Sequence, residues 1–250
     1  MIQVAPLLIA QITDTHLFAD ASQEFMGVST TQSLQTVIKR LQEFPLDALL
    51  LTGDLSQDET PESYHRLASL LTALEIPIYW LPGNHDCLPV MAQVLNQPPF
   101  SPAKSFQVGN WHFLLLSTAA PGFVHGVLSP ESLQWLDSQL QQIGDRPAIV
   151  ALHHPPLPIH SEWMDRMLLH NPEEFLTIID RYSSVKIVLS GHIHQAFNQQ
   201  RCEVSYLGTP STCVQFKPQL PNLVIDPISP GFRLLTLAAD GTWETKVERV

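Results

Sequence analysis

Five short clusters hold the side chains that could do chemistry: Asp14 and His16; Asp54; Asn84, His85 and Asp86; His153 and His154; His192 and His194. Carboxylate, imidazole and one amide, with no thiolate, suit borderline-to-hard divalent ions such as Mn, Fe or Zn. Asp-x-His and His-x-His place both side chains on one side of an extended segment, because alternate residues share a face. Two residues of one loop then reach the same ion or adjacent ions. Each fragment alone has a plainer reading. Asp14-x-His16 serves as a cap or turn, Gly53-Asp54 as turn chemistry, and His153-His154-Pro-Pro as a buried histidine beside a rigid loop. Their joint occurrence, in order and each after a strand, points to one shared site.

The elements that must position these clusters are short apolar runs separated by helical segments. Leu7–Thr13, Ala48–Thr52, Ile78–Leu81, Ala148–Leu152 and Lys186–Leu189 read as buried strands, each running into one of the clusters. Helices are expected at Thr31–Phe44, with Leu34, Val37, Ile38 and Leu41 on one face, and at Pro61–Leu74, Glu131–Ile143 and Pro172–Tyr182. Such alternation implies βαβ units and a largely parallel sheet, whose ligand sites lie beyond the carboxyl ends of the strands. Ser105–Val108 and Trp111–Ser117 read as a hairpin across Gly109-Asn110. The tail holds short strands at Val204–Leu207, Thr212–Phe216, Arg233–Leu237 and Trp243–Glu248. No repeat or linker divides the chain, so a single domain over residues 1–250 is expected.

Composition narrows the function classes. The 250 residues include 13 Lys+Arg against 24 Asp+Glu, a formal charge of −11. That balance argues against binding a nucleic acid polymer or docking on an anionic membrane. Apolar residues at 44% and charged residues at 15% argue against disorder. No apolar run approaches the ~18 residues of a spanning helix. The apolar start Val4–Ala10 is broken by Pro6, and no Lys or Arg precedes Lys39, so no secretory signal is expected. Three cysteines, Cys87, Cys202 and Cys213, make no disulfide framework or CxxC site, and a cytoplasmic protein is the simple reading.

The ordered set Asp-x-His, Gly-Asp, Gly-Asn-His-Asp, His, Gly-His-x-His resembles the binuclear metallophosphoesterase (calcineurin-like) superfamily. Within it, the chain is similar to the bacterial class III 3′,5′-cyclic AMP phosphodiesterases. Ile12–Phe18, Leu51–Asp58, Trp80–Asp86, Gly191–Gln195 and Pro210–Pro218 carry the likeness, which continues through Ile228–Leu235. The resemblance implies a four-layer α/β/β/α sandwich of two mixed β-sheets and two divalent metal ions per chain, Fe or Mn or else Zn or Mg. By the same likeness Asp14, His16 and His194 hold one ion, Asp54 bridges, and Asn84, His153 and His192 complete the second. His85 would face the phosphate as acid or charge stabiliser, oriented by Asp86. His153 matches the ligand position, with His154 behind it. The implied reaction is hydrolysis of 3′,5′-cyclic AMP to 5′-AMP by attack of a hydroxide between the ions. Glycerophosphodiesters, nucleotide-sugar pyrophosphates and 2′,3′-cyclic nucleotides are the rival substrates. A non-catalytic cyclic nucleotide binder is the remote alternative, and a homodimer is compatible with all of these.

Weaker expectations attach to the rest. His160 and Trp163 could line a nucleotide pocket by stacking on the base, or form an ordinary surface loop. Cys213 is expected to be packing rather than reactive, and Cys87 a small buried hydrophobe.

Overall fold

Strands apolar on both faces form the centre of the structure, a computed structural model that describes residues 5–250. In chain order the strands of the two main sheets are β1 (Leu7–Ile12), β2 (Ala48–Thr52), β3 (Ile78–Leu81), β4 (Phe100–Ser101), β5 (Ser105–Val108) and β6 (Trp111–Leu116). They continue with β7 (Ala148–Leu152), β8 (Val185–Ser190), β9 (Phe197–Arg201), β10 (Val204–Gly208), β11 (Gly231–Leu237) and β12 (Trp243–Arg249). One sheet has the order β12-β11-β1-β2-β3-β4 and the other β9-β10-β8-β7-β6-β5. The neighbours β1, β2 and β3 are parallel, as are β6, β7, β8 and β10. In the first sheet β4 extends the parallel core and the antiparallel β11 and β12 close the other edge, while in the second antiparallel β5 and β9 lie at the two edges, so both sheets are mixed.

Period-two burial explains the layering. Ile9 of β1, Leu50 of β2, Ile149 of β7 and Leu189 of β8 point into one core between the sheets. The alternate residues Ala10, Ile12, Leu49 and Leu51 face outward, against Leu34, Val37 and Leu41 of α1 (Thr30–Leu41) and Tyr64 and Leu67 of α2 (Pro61–Leu71). On the far side, Val150 and Leu152 meet helices Pro130–Ile143 and Pro172–Ile179 through Leu136, Leu140 and Phe175. The result is the expected α/β/β/α sandwich. No helix among the described residues is long and apolar enough to cross a membrane.

Two local expectations give way, and one helix is new. Of the strand expected over Thr212–Phe216, only Gln215–Phe216 pairs, with Ile225–Asp226. Upstream the chain curls instead, because Ser211 Oγ accepts from Cys213 N (2.8 Å) and Gln215 Nε2 donates to the Ser211 carbonyl (2.7 Å). A short helix at Leu88–Val94 follows the Asn84 cluster, started by Pro89 in its first turn. Cys87, at the cap of that helix, is half-buried rather than enclosed, whereas Cys213 is buried and its thiol is pushed up to about 12 by burial.

Candidate metal centre

All five clusters leave the carboxyl ends of strands: Asp14 and His16 after β1, Asp54 after β2, Asn84 to Asp86 after β3, His153 and His154 after β7, His192 and His194 after β8. The extended geometry expected of the two x-spaced pairs is not what the backbone adopts. Asp14 (φ 54°), His16 (46°), Asp54 (52°), His192 (69°) and His194 (50°) all lie in the left-handed region. Non-glycine residues stay there only where their surroundings hold them. Here neighbouring loops do the holding: Asp14 N donates to Gly53 O (2.9 Å), His16 N to Asp54 O (3.0 Å) and Gly191 N to His153 O (3.0 Å). His192 N donates to Asp14 Oδ2 at 3.0 Å. Close approach explains two glycines: a Cβ on Gly83 would overlap Asp54 Oδ1, and one on Gly53 would lie 2.5 Å from His153 Nδ1.

The side chains converge in overlapping groups. Asp14, His16 and His194 bring one ligand atom each to within 4.8 Å of the others, and so do Asp14, Asp54 and His153. Asp54 Oδ2 lies 3.2 Å from His153 Nε2 and 4.0 Å from His16 Nε2, between the two halves of the site. His194 Nε2 is 3.3 Å from Asp14 Oδ1. The ring centroids of His153 and His192 are 5.1 Å apart.

These donors fit divalent cations. Asp14 Oδ1, His153 Nε2 and His192 Nε2 are buried with no hydrogen-bond partner among the described residues. Leaving such atoms unpaired costs about 1–3 kcal/mol each. Nε2 of His16 and Nε2 of His194 face each other at 3.1 Å. Their Nδ1 atoms lie against oxygens, Gln57 Oε1 at 2.7 Å and Val214 O at 2.8 Å. His153 Nδ1 likewise donates to Thr52 O at 2.7 Å. A histidine whose Nδ1–H is spent on an oxygen presents Nε2 as a lone pair, the usual arrangement for a metal ligand.

The same reasoning separates His153 from His154. Val124 O, 2.9 Å from His154 Nε2, can only accept, so that nitrogen carries hydrogen. His154 Nδ1 then accepts from Thr118 Oγ1 at 2.7 Å. His154 comes within 4.8 Å of the donor atoms of His153 and His192, but both of its nitrogens are engaged by protein oxygens, and its Nε2 also lies 3.2 Å from Asn84 Oδ1.

Burial and charge act in opposite directions here. Burial would raise Asp54, but His153 and His16 outweigh it and hold the carboxyl well below the usual range. Burial would lower His153, yet Asp54 and Asp14 carry it to about 9. For His16 burial wins, and the ring falls to about 4 despite Asp54 nearby. His154 and His192 are pushed well below their ordinary value by burial and neighbouring histidines.

Asp86 departs from its expected role. Its carboxylate accepts from Leu55 N (3.1 Å), Ser56 N (3.0 Å), Gly83 N (2.9 Å) and the Tyr64 hydroxyl (3.0 Å) rather than from His85. Asp86 thus clamps the loops after β2 and β3 together. His85 is held instead by its backbone N–H on Asp54 Oδ1 (2.9 Å) and by Gln57, whose Nε2 is 3.4 Å from His85 Nδ1. Gln57 escaped the sequence reading, although it lies three residues after Asp54 in a stretch that carries the likeness. Phe25 and Phe216 escaped it too: they stack on His16 (4.4 Å, 17°) and His194 (4.4 Å, 15°). Trp163 packs edge-on against Phe216 at 5.3 Å, behind the stack rather than in a pocket. His160 is exposed, with φ 63°, and lines a cavity of about 390 Å³ with Gln195 and Asn198, apart from the clustered donors.

A mixed-sheet α/β/β/α sandwich with carboxylate and imidazole donors at the strand ends is the architecture of a metal-dependent phosphoesterase. Residues 7–196 match the family described as calcineurin-like phosphoesterase, and the chain belongs to that family. Among curated relatives, a 3′,5′-cyclic-nucleotide phosphodiesterase of Nostoc sp. (strain PCC 7120) is 54% identical, over 98% of this chain and 93% of its own. The 3′,5′-cyclic adenosine monophosphate phosphodiesterase CpdA of Escherichia coli (strain K12) is 41% identical over 98% of this chain and 90% of its own. Among solved structures, a dimetal phosphatase from Danio rerio has the same fold at a TM-score of 0.72 and 14% identity, covering 98% of this chain and 99% of that one.

Proposed function

We propose that this protein is a metal-dependent phosphodiesterase that hydrolyses 3′,5′-cyclic AMP to 5′-AMP. The observation that carries the metal chemistry is the pair of overlapping donor groups, Asp14, His16 and His194 beside Asp14, Asp54 and His153, with buried donor atoms that have no hydrogen-bond partner among the described residues. The substrate rests on the relatives, which match almost end to end and are named for cyclic nucleotide hydrolysis. Asp14, His16 and His194 would hold one ion and Asn84, His153 and His192 the other, with Asp54 shared.

Two divalent ions supply Lewis acidity, lowering the pKa of water toward about 7 and screening phosphoryl charge. The protein contributes the rest. Nδ1–H bonds to Gln57, Val214 and Thr52 fix the rings of His16, His194 and His153. His85, half-buried beside Asp54, is the donor to the phosphoryl group or the departing O3′. Hydrolysis joins a water oxygen to phosphorus and breaks P–O3′, so the 5′ ester survives.

The test is chromatography of products from 3′,5′-cyclic AMP and Mn²⁺-reconstituted protein, beside glycerophosphodiesters, nucleotide-sugar pyrophosphates and 2′,3′-cyclic nucleotides. Formation of 5′-AMP faster than any other product, abolished by Asn84→Ala, is the expected result. Intact cyclic AMP beside another cleaved diester would overturn the substrate and leave the metal centre standing.

A further inference from the structure

Between His16 and His85 lies Gln57, a side chain that touches both rings. Gln57 starts from a fixed point: its backbone N–H donates to Leu17 O at 2.8 Å. Its amide then reaches two imidazoles, with Oε1 2.7 Å from His16 Nδ1 and Nε2 3.4 Å from His85 Nδ1. The two rings stand edge to face, 5.2 Å apart at 77°.

Hydrogen-bond bookkeeping orients this amide, and the argument rests on the metal reading above. If His16 Nε2 is a metal ligand, its hydrogen is on Nδ1, because a neutral imidazole carries only one. Nδ1–H needs an acceptor, so the oxygen of the Gln57 amide must face His16. Its NH₂ therefore faces His85 and makes Nδ1 of that ring the acceptor. A second hydrogen on His85 Nδ1 would point donor at donor. What remains for His85 is hydrogen on Nε2.

We propose that Gln57 is a positioning residue that couples the ligand His16 to His85 and fixes the ring hydrogen of His85 on Nε2. His85 then presents Nε2–H to a phosphoryl or departing oxygen. A carboxylate at position 57 would do the opposite, drawing the ring hydrogen of His85 to Nδ1.

Glutamate has the same shape, keeps an acceptor for His16 and removes the donor to His85, so Gln57→Glu separates the two contacts. Long-range ¹H–¹⁵N correlation spectra of Zn²⁺-loaded protein report which nitrogen of each ring carries hydrogen. His85 signals are assigned by their loss in His85→Asn. The expected result is Nδ1–H with a metal-shifted Nε2 at His16, and Nε2–H at His85. In Gln57→Glu, His16 should be unchanged while hydrogen appears on His85 Nδ1, and kcat for cyclic AMP should fall about 10–100-fold with little change in KM. Wild-type His85 with hydrogen on Nδ1, beside a metal-shifted His16, would overturn the proposal alone. So would a Gln57→Glu protein whose His85 signals match wild type. A His16 ring that ignores Zn²⁺ would instead remove the metal reading, and this proposal with it.

Discussion

The two halves of the centre are braced differently. Around Asp14, His16 and His194 aromatic rings add to the polar bonds from Gln57 and Val214: Phe25 and Phe216 stack on the two imidazoles at 4.4 Å. Both rings come from two-residue strands, Glu24–Phe25 and Gln215–Phe216, outside the main sheets. Around Asn84, His153 and His192 the support is polar and belongs to the strand ends, through Thr52 O on His153 and through His154 between Thr118, Val124 and Asn84. Protonation divides the halves as well, with His16 pushed down to about 4 and His153 up to about 9. At neutral pH His16 has no proton to give up, whereas His153 must release one before it takes an ion.

The largest expected effect erases the difference, because Asp54 serves both halves. Asp54→Asn should remove bound metal from both and lower turnover by roughly 10³-fold, the several kcal/mol a Lewis-acid centre supplies. Metal analysis of the purified variant checks this; full occupancy with activity retained would contradict a shared carboxylate.

Next comes the proton. Below about 9, His153 is protonated in the metal-free site, so binding there displaces a proton and apparent affinity rises with pH, about tenfold per unit. Above that value it levels off. Affinity in the first half should be flat from neutral pH upward, because His16 already lacks its proton. Calorimetry in buffers of differing ionisation enthalpy reads the release directly, and two proton-silent binding steps at pH 7 would refute the contrast.

Removing the polar brace should act on one half only. His154→Phe keeps an aromatic ring there but strips Asn84 and Thr118 of their partner, and the second ion should bind about 10–100-fold more weakly. Equal weakening of both ions would show the halves are not separable. The aromatic brace is worth least: Phe25→Ala should weaken the first ion by about 2–10-fold, matching the ~0.5–1.5 kcal/mol of a stacked pair. A larger loss in the second half than the first would reverse the assignment.

This division also marks what the sequence could reveal. β1, β2 and β7 were legible because they are short runs apolar on both faces, and each runs directly into a candidate donor. The Leu34, Val37, Ile38 and Leu41 stripe likewise announces α1, and all four are buried. Phe25 gave no such signal: it lies in a two-residue ribbon turning at Met26 and Gly27 (φ 51° and 82°), too short for any periodicity. Phe216 sat in an expected strand, but side-chain bonds from Ser211 and Gln215 curl that segment so that its ring lies against His194. Asp86 was read by its neighbour in sequence, His85, while its carboxylate answers to backbone N–H groups from two loops. Tautomers of His153 and His154 are set by oxygens 101 and 30 residues away, Thr52 O and Val124 O, which no local pattern encodes.

The most direct measurement is 5′-AMP formation from 3′,5′-cyclic AMP as Mn²⁺ is titrated into metal-free protein, with bound metal measured at each step. Little product is expected at one equivalent per chain, with a rise to full rate as the second ion binds and loss of bound metal and turnover on chelation. Full turnover at one equivalent, or undiminished turnover after chelation, would contradict it.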